Sequence, residues 1–137
     1  MRSIVILIVI GLLAFSFQGR FGRNLLRGPD LAIDHRAVSV LRGAITHVRD
    51  GDTFEVNGIP VRISALDCAE NSTAEGKKIT RFAKQFKGKE TICELTGAKT
   101  YDRVVGYCSI NGIDFGKMMM DETSCKLWAK YDIWNKY

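Results

Sequence analysis

Apolar and polar positions partly alternate along AVSVLRGAITHVR (Ala37–Arg49), and β-branched residues are frequent, so this segment predicts a strand. Asp50-Gly51 is a turn dipeptide. TFEV then leads into Asn57-Gly58, a strong short-range hairpin signal, and IPVRISAL (Ile59–Leu66) is the returning strand. The period then changes. In NSTAEGKKITRFAKQFKGK, residues Ile79, Phe82, Ala83 and Phe86 recur at helical spacing, with Ser72 or Thr73 as N-cap, Glu75 in the first turn and Gly88 as the stop. Lys77, Lys78, Arg81, Lys84 and Lys87 fall mostly on the other faces and read as a solvated surface. ETICEL (Glu90–Leu95) predicts a fourth strand and VVGYCSI (Val104–Ile110) a fifth, joined by TGAKTYDR. After Asn111-Gly112, a second helix is expected from Asp114 to about Lys126, with Met118–Met120 as core filler.

Three strands in a meander, a helix, two strands and a helix make an α+β chain. Five strands with a helix between the third and fourth is the order of the five-stranded OB-fold β-barrel, here followed by a C-terminal helix. The N-terminus stands apart. MRSIVILIVIGLLAFSF has one early cation, Arg2, and an apolar run from Ile4 to Phe15, shorter than the about 20 residues that span a bilayer. Residues 1–17 therefore read as a signal peptide or N-terminal membrane anchor, residues 18–36 as a linker, and residues 37–137 as the domain. The chain of 137 residues suits one core, and a hydrophobic share of 46% with two prolines excludes wholesale disorder. A formal charge of +5 favours a polyanionic partner. No protein partner is evident, and a monomer is expected. Four cysteines without a CxxC pair and only two histidines argue against structural zinc. In an exported chain the even count points to disulfides; in the cytosol four buried thiols are the expectation.

The chemistry gathers around RDGDT (Arg49–Thr53). Asp52 opens the second strand and Asp67 follows the third. The hairpin makes these strands neighbours, so both carboxylates reach one end of the barrel, an oxygen site for a hard cation such as Ca²⁺ or Mg²⁺. Asp50 reads as a turn residue. Glu70 lies three residues beyond Asp67, Arg62 is on the third strand, and Arg103 opens the fifth. A divalent cation, a free carboxylate and two guanidiniums make a phosphodiesterase site. Neither His35 nor His47 sits in a motif that would serve a serine or cysteine nucleophile.

These residues resemble the staphylococcal nuclease (thermonuclease) family over about Ala44 to Cys125. The family pattern of a DGDT strand entry, R-x₄-D-[TA]-P-E and D-[RK]-Y-G-R is matched by DGDT (Asp50–Thr53), RISALDCAE (Arg62–Glu70) and, in part, KTYDR (Lys99–Arg103). The resemblance implies an OB-fold enzyme that uses Ca²⁺ to cleave DNA and RNA and leaves 3′-phosphates. It implies Asp52 and Asp67 as metal carboxylates and Cys68 as a ligand through its backbone carbonyl. It implies Arg62 and Arg103 as phosphate-binding arginines, Glu70 as general base and Tyr101 as the motif's tyrosine, with Tyr131 a candidate for base stacking. Cys68-Ala69 replaces the family's Thr-Pro or Ala-Pro, Lys99 its leading Asp, and Asp102 the glycine before Arg103, where a left-handed backbone is expected.

The fold so implied makes the fourth and fifth strands neighbours, which favours a cross-strand disulfide between Cys93 and Cys108 over free thiols. Cys68 with Cys125 is the second candidate pair and would tie the metal loop to the C-terminal helix. The expected product is an exported, secreted or periplasmic nuclease. The rival readings are a nucleic-acid-binding module that does not cut and a membrane-anchored OB-fold interaction domain.

Overall fold

The computed structural model describes residues 32–137. The apolar leader over 1–17 and most of the linker over 18–36 lie outside the described residues. Among the described residues the architecture is α+β: a six-stranded sheet, a separate two-stranded sheet and two α-helices.

Strands β1 (Ser39–Asp50), β2 (Thr53–Val56) and β3 (Ile59–Ile63) form the expected antiparallel meander. Asn57 and Gly58 both take positive φ, 49° and 79°, which matches a two-residue hairpin to the twist of its strands. Ile63 ends β3, earlier than Leu66, because Ala65 turns the chain at φ 61°. Leu66–Asp67 then forms a separate two-residue strand, β4. Helix α1 (Ala74–Ala83) starts at Thr73, whose Oγ1 accepts from the Gly76 amide, and tightens into a 3₁₀ turn at Lys84–Phe86.

Strand β5 (Glu90–Thr100) is longer than ETICEL, because the ladder resumes at Lys99 beyond an irregularity that contains Gly97 (φ 87°). Tyr101-Asp102 is then a two-residue turn into β6 (Arg103–Ile110). Asn111-Gly112 turns the chain into β7 (Ile113–Asp114) and α2 (Phe115–Glu122). Helix α2 stops four residues before the predicted Lys126. The Thr123 amide and hydroxyl both close on the Met119 carbonyl, and the chain leaves in extended form. The last short strand, β8 (Lys126–Leu127), pairs with β4.

The sheet runs β3-β2-β1-β5-β6-β7, and β3 also pairs in parallel with β6, from Val61↔Val104 to Ile63↔Gly106. This pairing is compatible with an OB-like barrel. Ile45, Val48, Phe54, Val56, Val61, Ile63 and Leu66 fill the interior from the strands. Ile79, Phe115 and Met119 close it from the helices, and Phe115 meets Phe54 and Phe86 edge to face at 5.0 and 5.8 Å. Each such side chain contributes about 1.5–3 kcal/mol by leaving water. Met119 is fully buried and Met118 and Met120 pack beside it, as core filler should.

The tail after α2 is fastened along its length. Trp134 stacks on Tyr107 at 4.8 Å. Asp132 accepts from the Tyr107 hydroxyl and from the Lys136 and Tyr137 amides. Tyr137 donates to Asp114, and burial pushes its hydroxyl pKa well above the usual range. Arg36 donates to the Trp134 carbonyl and Asp34 accepts the Arg36 guanidinium, so the end of the predicted linker is packed on the domain.

Both cysteine pairs are disulfides: Cys93–Cys108, with Cα atoms 4.0 Å apart, and Cys68–Cys125, 4.3 Å apart. Two intramolecular disulfides suit an oxidising compartment.

Candidate active site

A cleft of about 420 Å³ opens where β3 ends, walled by the turn before β2, the segment from Ile63 to Glu70, the far end of β5, the start of β6 and the tail. Asp52, Arg62, Asp67, Cys68, Glu70, Arg103 and Tyr131 all line it. Side chains drawn from separate elements therefore face one space, as the hairpin register requires: Thr53 pairs with Arg62, which sets Asp52 and Arg62 side by side.

Asp52 is the buried member, 8% exposed. Its Oδ2 lies 3.3 Å from Arg62 Nη2, and its Oδ1 accepts from the Thr53 hydroxyl at 3.0 Å. Burial pushes its pKa up to about 7, against the pull of Arg62, and the Asp50 carboxylate adds to the rise. Asp50 itself accepts from the Asp52 amide at 3.2 Å, the turn role expected of it. Arg62 also donates to the Ile63 carbonyl at 2.8 Å. Arg103 donates to Thr53 Oγ1 at 3.2 Å and to the Thr100 carbonyl at 3.3 Å. Thr53, 1% exposed, thus stands between Asp52 and Arg103, a link that its place beside Asp52 in DGDT could have signalled.

Asp67 and Glu70 are exposed along the cleft edge. The Glu70 carbonyl accepts from Thr73, anchoring the loop to the start of α1. Asp52 and Asp67, both lining the cleft, and the backbone carbonyl of the neighbouring Cys68 are oxygen donors, the kind that a hard cation takes together with water. Among the described residues no three His, Cys, Asp or Glu side chains cluster as metal ligands.

One residue stands apart from the cleft, and one expectation is corrected. Tyr101 does not line the cleft: it is 94% exposed on its turn, with its ring 5.6 Å from the Arg103 guanidinium. The positive φ of that turn, 54°, falls on Tyr101 rather than on Asp102. Asp102 points instead to Arg49, 2.8 Å away, and the Arg49 hydrogen bond lowers its pKa. Arg49 also pairs with Glu55, so the charge of Asp102 is drawn toward a cation outside the cleft. Trp128 and Ile133 are cleft residues that the sequence pattern did not single out. Trp128 meets Tyr131 edge to face at 4.4 Å, and both are 44% exposed. The density of aromatics in LWAKYDIW was the available signal.

No model of a known protein family matches the chain, and a search of curated proteins finds no match.

Proposed function

We propose that the chain is an exported OB-fold nuclease that hydrolyses phosphodiester bonds of DNA and RNA with Ca²⁺ and little sequence specificity, leaving 3′-phosphates. The observation that carries this reading is the convergence of Asp52, Asp67, Glu70, Arg62 and Arg103 on one cleft. Asp52, Asp67 and the Cys68 carbonyl would hold the cation, which supplies Lewis-acid polarisation of a phosphate oxygen. Arg62 and Arg103 offer planar donor forks to the remaining oxygens and stabilise the charge that grows on them. Glu70, exposed and unpaired in the described hydrogen bonds, accepts a proton from the attacking water. The new bond joins water oxygen to phosphorus as the bond to the 5′-oxygen breaks, and that oxygen takes a proton from solvent as it leaves while Glu70 returns its own to solvent. Trp128 and Tyr131 present ring faces and edges to whichever base lies beside the phosphate, a sequence-tolerant contact.

The test is digestion of single-stranded DNA and RNA by the oxidised full chain in Ca²⁺, in Mg²⁺ and in chelator. Cleavage that requires Ca²⁺ and yields 3′-phosphate ends is expected. A folded protein that binds the strands in every condition and never cuts them overturns the enzyme and leaves the binding-module reading.

A further inference from the structure

The segment that carries Asp67, Cys68 and Glu70 is tied at its two ends, where the Ser64 amide donates to the Gly106 carbonyl at 2.8 Å and the Glu70 carbonyl accepts from Thr73, and between them it leans on the tail. Between Ile63 and Thr73 its strand pairing, among the described residues, is two positions, Leu66↔Leu127 and Asp67↔Lys126. The Trp128 amide donates to the Ala65 carbonyl at 2.7 Å, and the Ser64 hydroxyl donates to the Tyr131 carbonyl at 2.8 Å. The partners in both pairings and in these two hydrogen bonds lie in the tail. The covalent link between loop and tail is Cys68–Cys125.

The same disulfide supports the other carboxylate. A Cβ built on Gly51 would lie 3.0 Å from Cys68 Sγ and 3.1 Å from Cys68 Cβ. The Asp50-Gly51-Asp52 turn is therefore seated directly on the half-cystine. One bond touches both segments from which the site's carboxylates project. Cys93–Cys108 has no such position: it joins opposed residues in the middle of the β5–β6 ladder and lines no part of the cleft. Access differs too. Cys68 is 9% exposed and lines the cleft and Cys125 is 4% exposed, against 0% and 2% for Cys93 and Cys108, so Cys68–Cys125 is the bond with a side toward solvent.

We propose that Cys68–Cys125 is a redox switch for the site, which is assembled when the bond is formed and slack when it is reduced. The switch rests on the nuclease reading above. In closing it, the two thiols give two electrons and two protons to a disulfide donor by exchange, so that one S–S bond forms in the chain as one breaks in the donor. A dithiol reverses the step and is itself oxidised to a disulfide. The chain is then inactive before oxidation and active after it, which confines cleavage to an oxidising compartment.

The experiment compares three states of the full chain: oxidised, treated with a dithiol under native conditions until thiol labelling finds only Cys68 and Cys125, and a Cys125→Ala variant. The Cys93→Ala, Cys108→Ala double variant is the control. Each is assayed for strand cleavage in Ca²⁺ and for Ca²⁺ affinity by calorimetry, with folding followed by near-ultraviolet circular dichroism. The expected result is a fall of about 100-fold in turnover and weaker Ca²⁺ binding in the first-reduced and Cys125→Ala forms. The fold is retained, reoxidation restores activity to the reduced form, and the folded control matches wild type. Undiminished cleavage and Ca²⁺ binding after selective reduction overturn the switch and leave the nuclease standing. If the oxidised chain binds Ca²⁺ without cutting, the nuclease reading fails, and reduction-sensitive Ca²⁺ affinity still supports the switch. An oxidised chain that neither cuts nor binds Ca²⁺ overturns both.

Discussion

Cys93–Cys108 lies within a ladder of seven paired positions between β5 and β6, whereas Cys68–Cys125 lies beside a ladder of two between β4 and β8. The first bond joins strands that backbone hydrogen bonds and packing already hold. The second joins a loop to a tail across a ladder of two positions and two further hydrogen bonds. Loop length reverses the ranking for the unfolded chain, because the bonds span 15 and 57 residues. The comparison separates two effects of a cross-link, restriction of the unfolded ensemble and definition of a local geometry. Only the second matters to a site that must be held in place.

Removing each bond by a double alanine substitution therefore gives the largest expected effects. Chain entropy alone predicts a loss of about 4 kcal/mol for Cys68–Cys125 and about 3 kcal/mol for Cys93–Cys108, measured by urea unfolding. Hydrogen exchange sharpens the contrast. Amides from Ser64 to Cys68 are expected to lose protection in the first variant, while those of β5 and β6 stay protected in the second. Equal loss of protection in both regions would break the distinction.

Gly51 and Gly58 carry the comparison to a smaller scale. Alanine at Gly51 would place its Cβ 2.3 Å from Ile79 Cγ2 as well as against Cys68, so it should cost about 1–3 kcal/mol and lower cleavage. Alanine at Gly58 meets open space but sits at φ 79°, so it should cost about 1 kcal/mol and leave cleavage unchanged. Thermal unfolding and turnover of both variants check this.

Away from the site, the tail's own fastening can be loosened. Tyr107→Phe removes the hydroxyl that donates to Asp132 at 2.8 Å and should cost about 1 kcal/mol in urea unfolding. The smallest effect is one of pH. Burial opposes ionisation of Asp132, but the Lys136 and Tyr137 amides, the Tyr107 hydroxyl and the Lys136 ammonium outweigh it and lower its pKa. A carboxylate with a depressed folded pKa contributes stability above its unfolded pKa of about 4 and loses it as pH falls through the folded value. Buried Asp52, with its pKa pushed up to about 7, makes unfolding midpoints rise as pH falls from 7 toward about 4, and Asp132 makes them drop below about 4, so Asp132→Asn should show a shallower acid limb only.

Much of this was legible where a local rule decides the structure. Asn57-Gly58 and Asn111-Gly112 fix their turns because both positions need positive φ. The stripe of Ile79 and Ala83 marks the buried face of α1. Asp52 and Arg62 meet because the hairpin register sets them together, whereas Arg103 joins them through the parallel pairing of β3 with β6. What failed depended on partners far along the chain. The loop reading of TGAKT gave way to strand because β6 offers Thr96–Thr100 a partner across an irregularity. β4 and β8 have too few residues to carry a period, and each exists through the other. Helix α2 ends before the expected Lys126 because Thr123 closes on the Met119 carbonyl, and the chain then runs extended to Cys125 and its bond with Cys68. Tyr101 is identified by its motif alone, and its turn leaves it 94% exposed with its ring beside Arg103.

The central claim is that the cleft cuts phosphodiesters and that Glu70 takes the proton. The most direct test is the turnover of Glu70→Gln on single-stranded DNA in Ca²⁺, beside wild type and with urea unfolding of both. Glu70 is exposed and serves the fold through its backbone carbonyl, so the substitution should leave stability unchanged. Turnover should fall by about 10²–10⁴-fold, the usual worth of a positioned general base. Equal cleavage by the two proteins would contradict the role of Glu70, and no cleavage by the oxidised wild type in Ca²⁺ would contradict the claim itself.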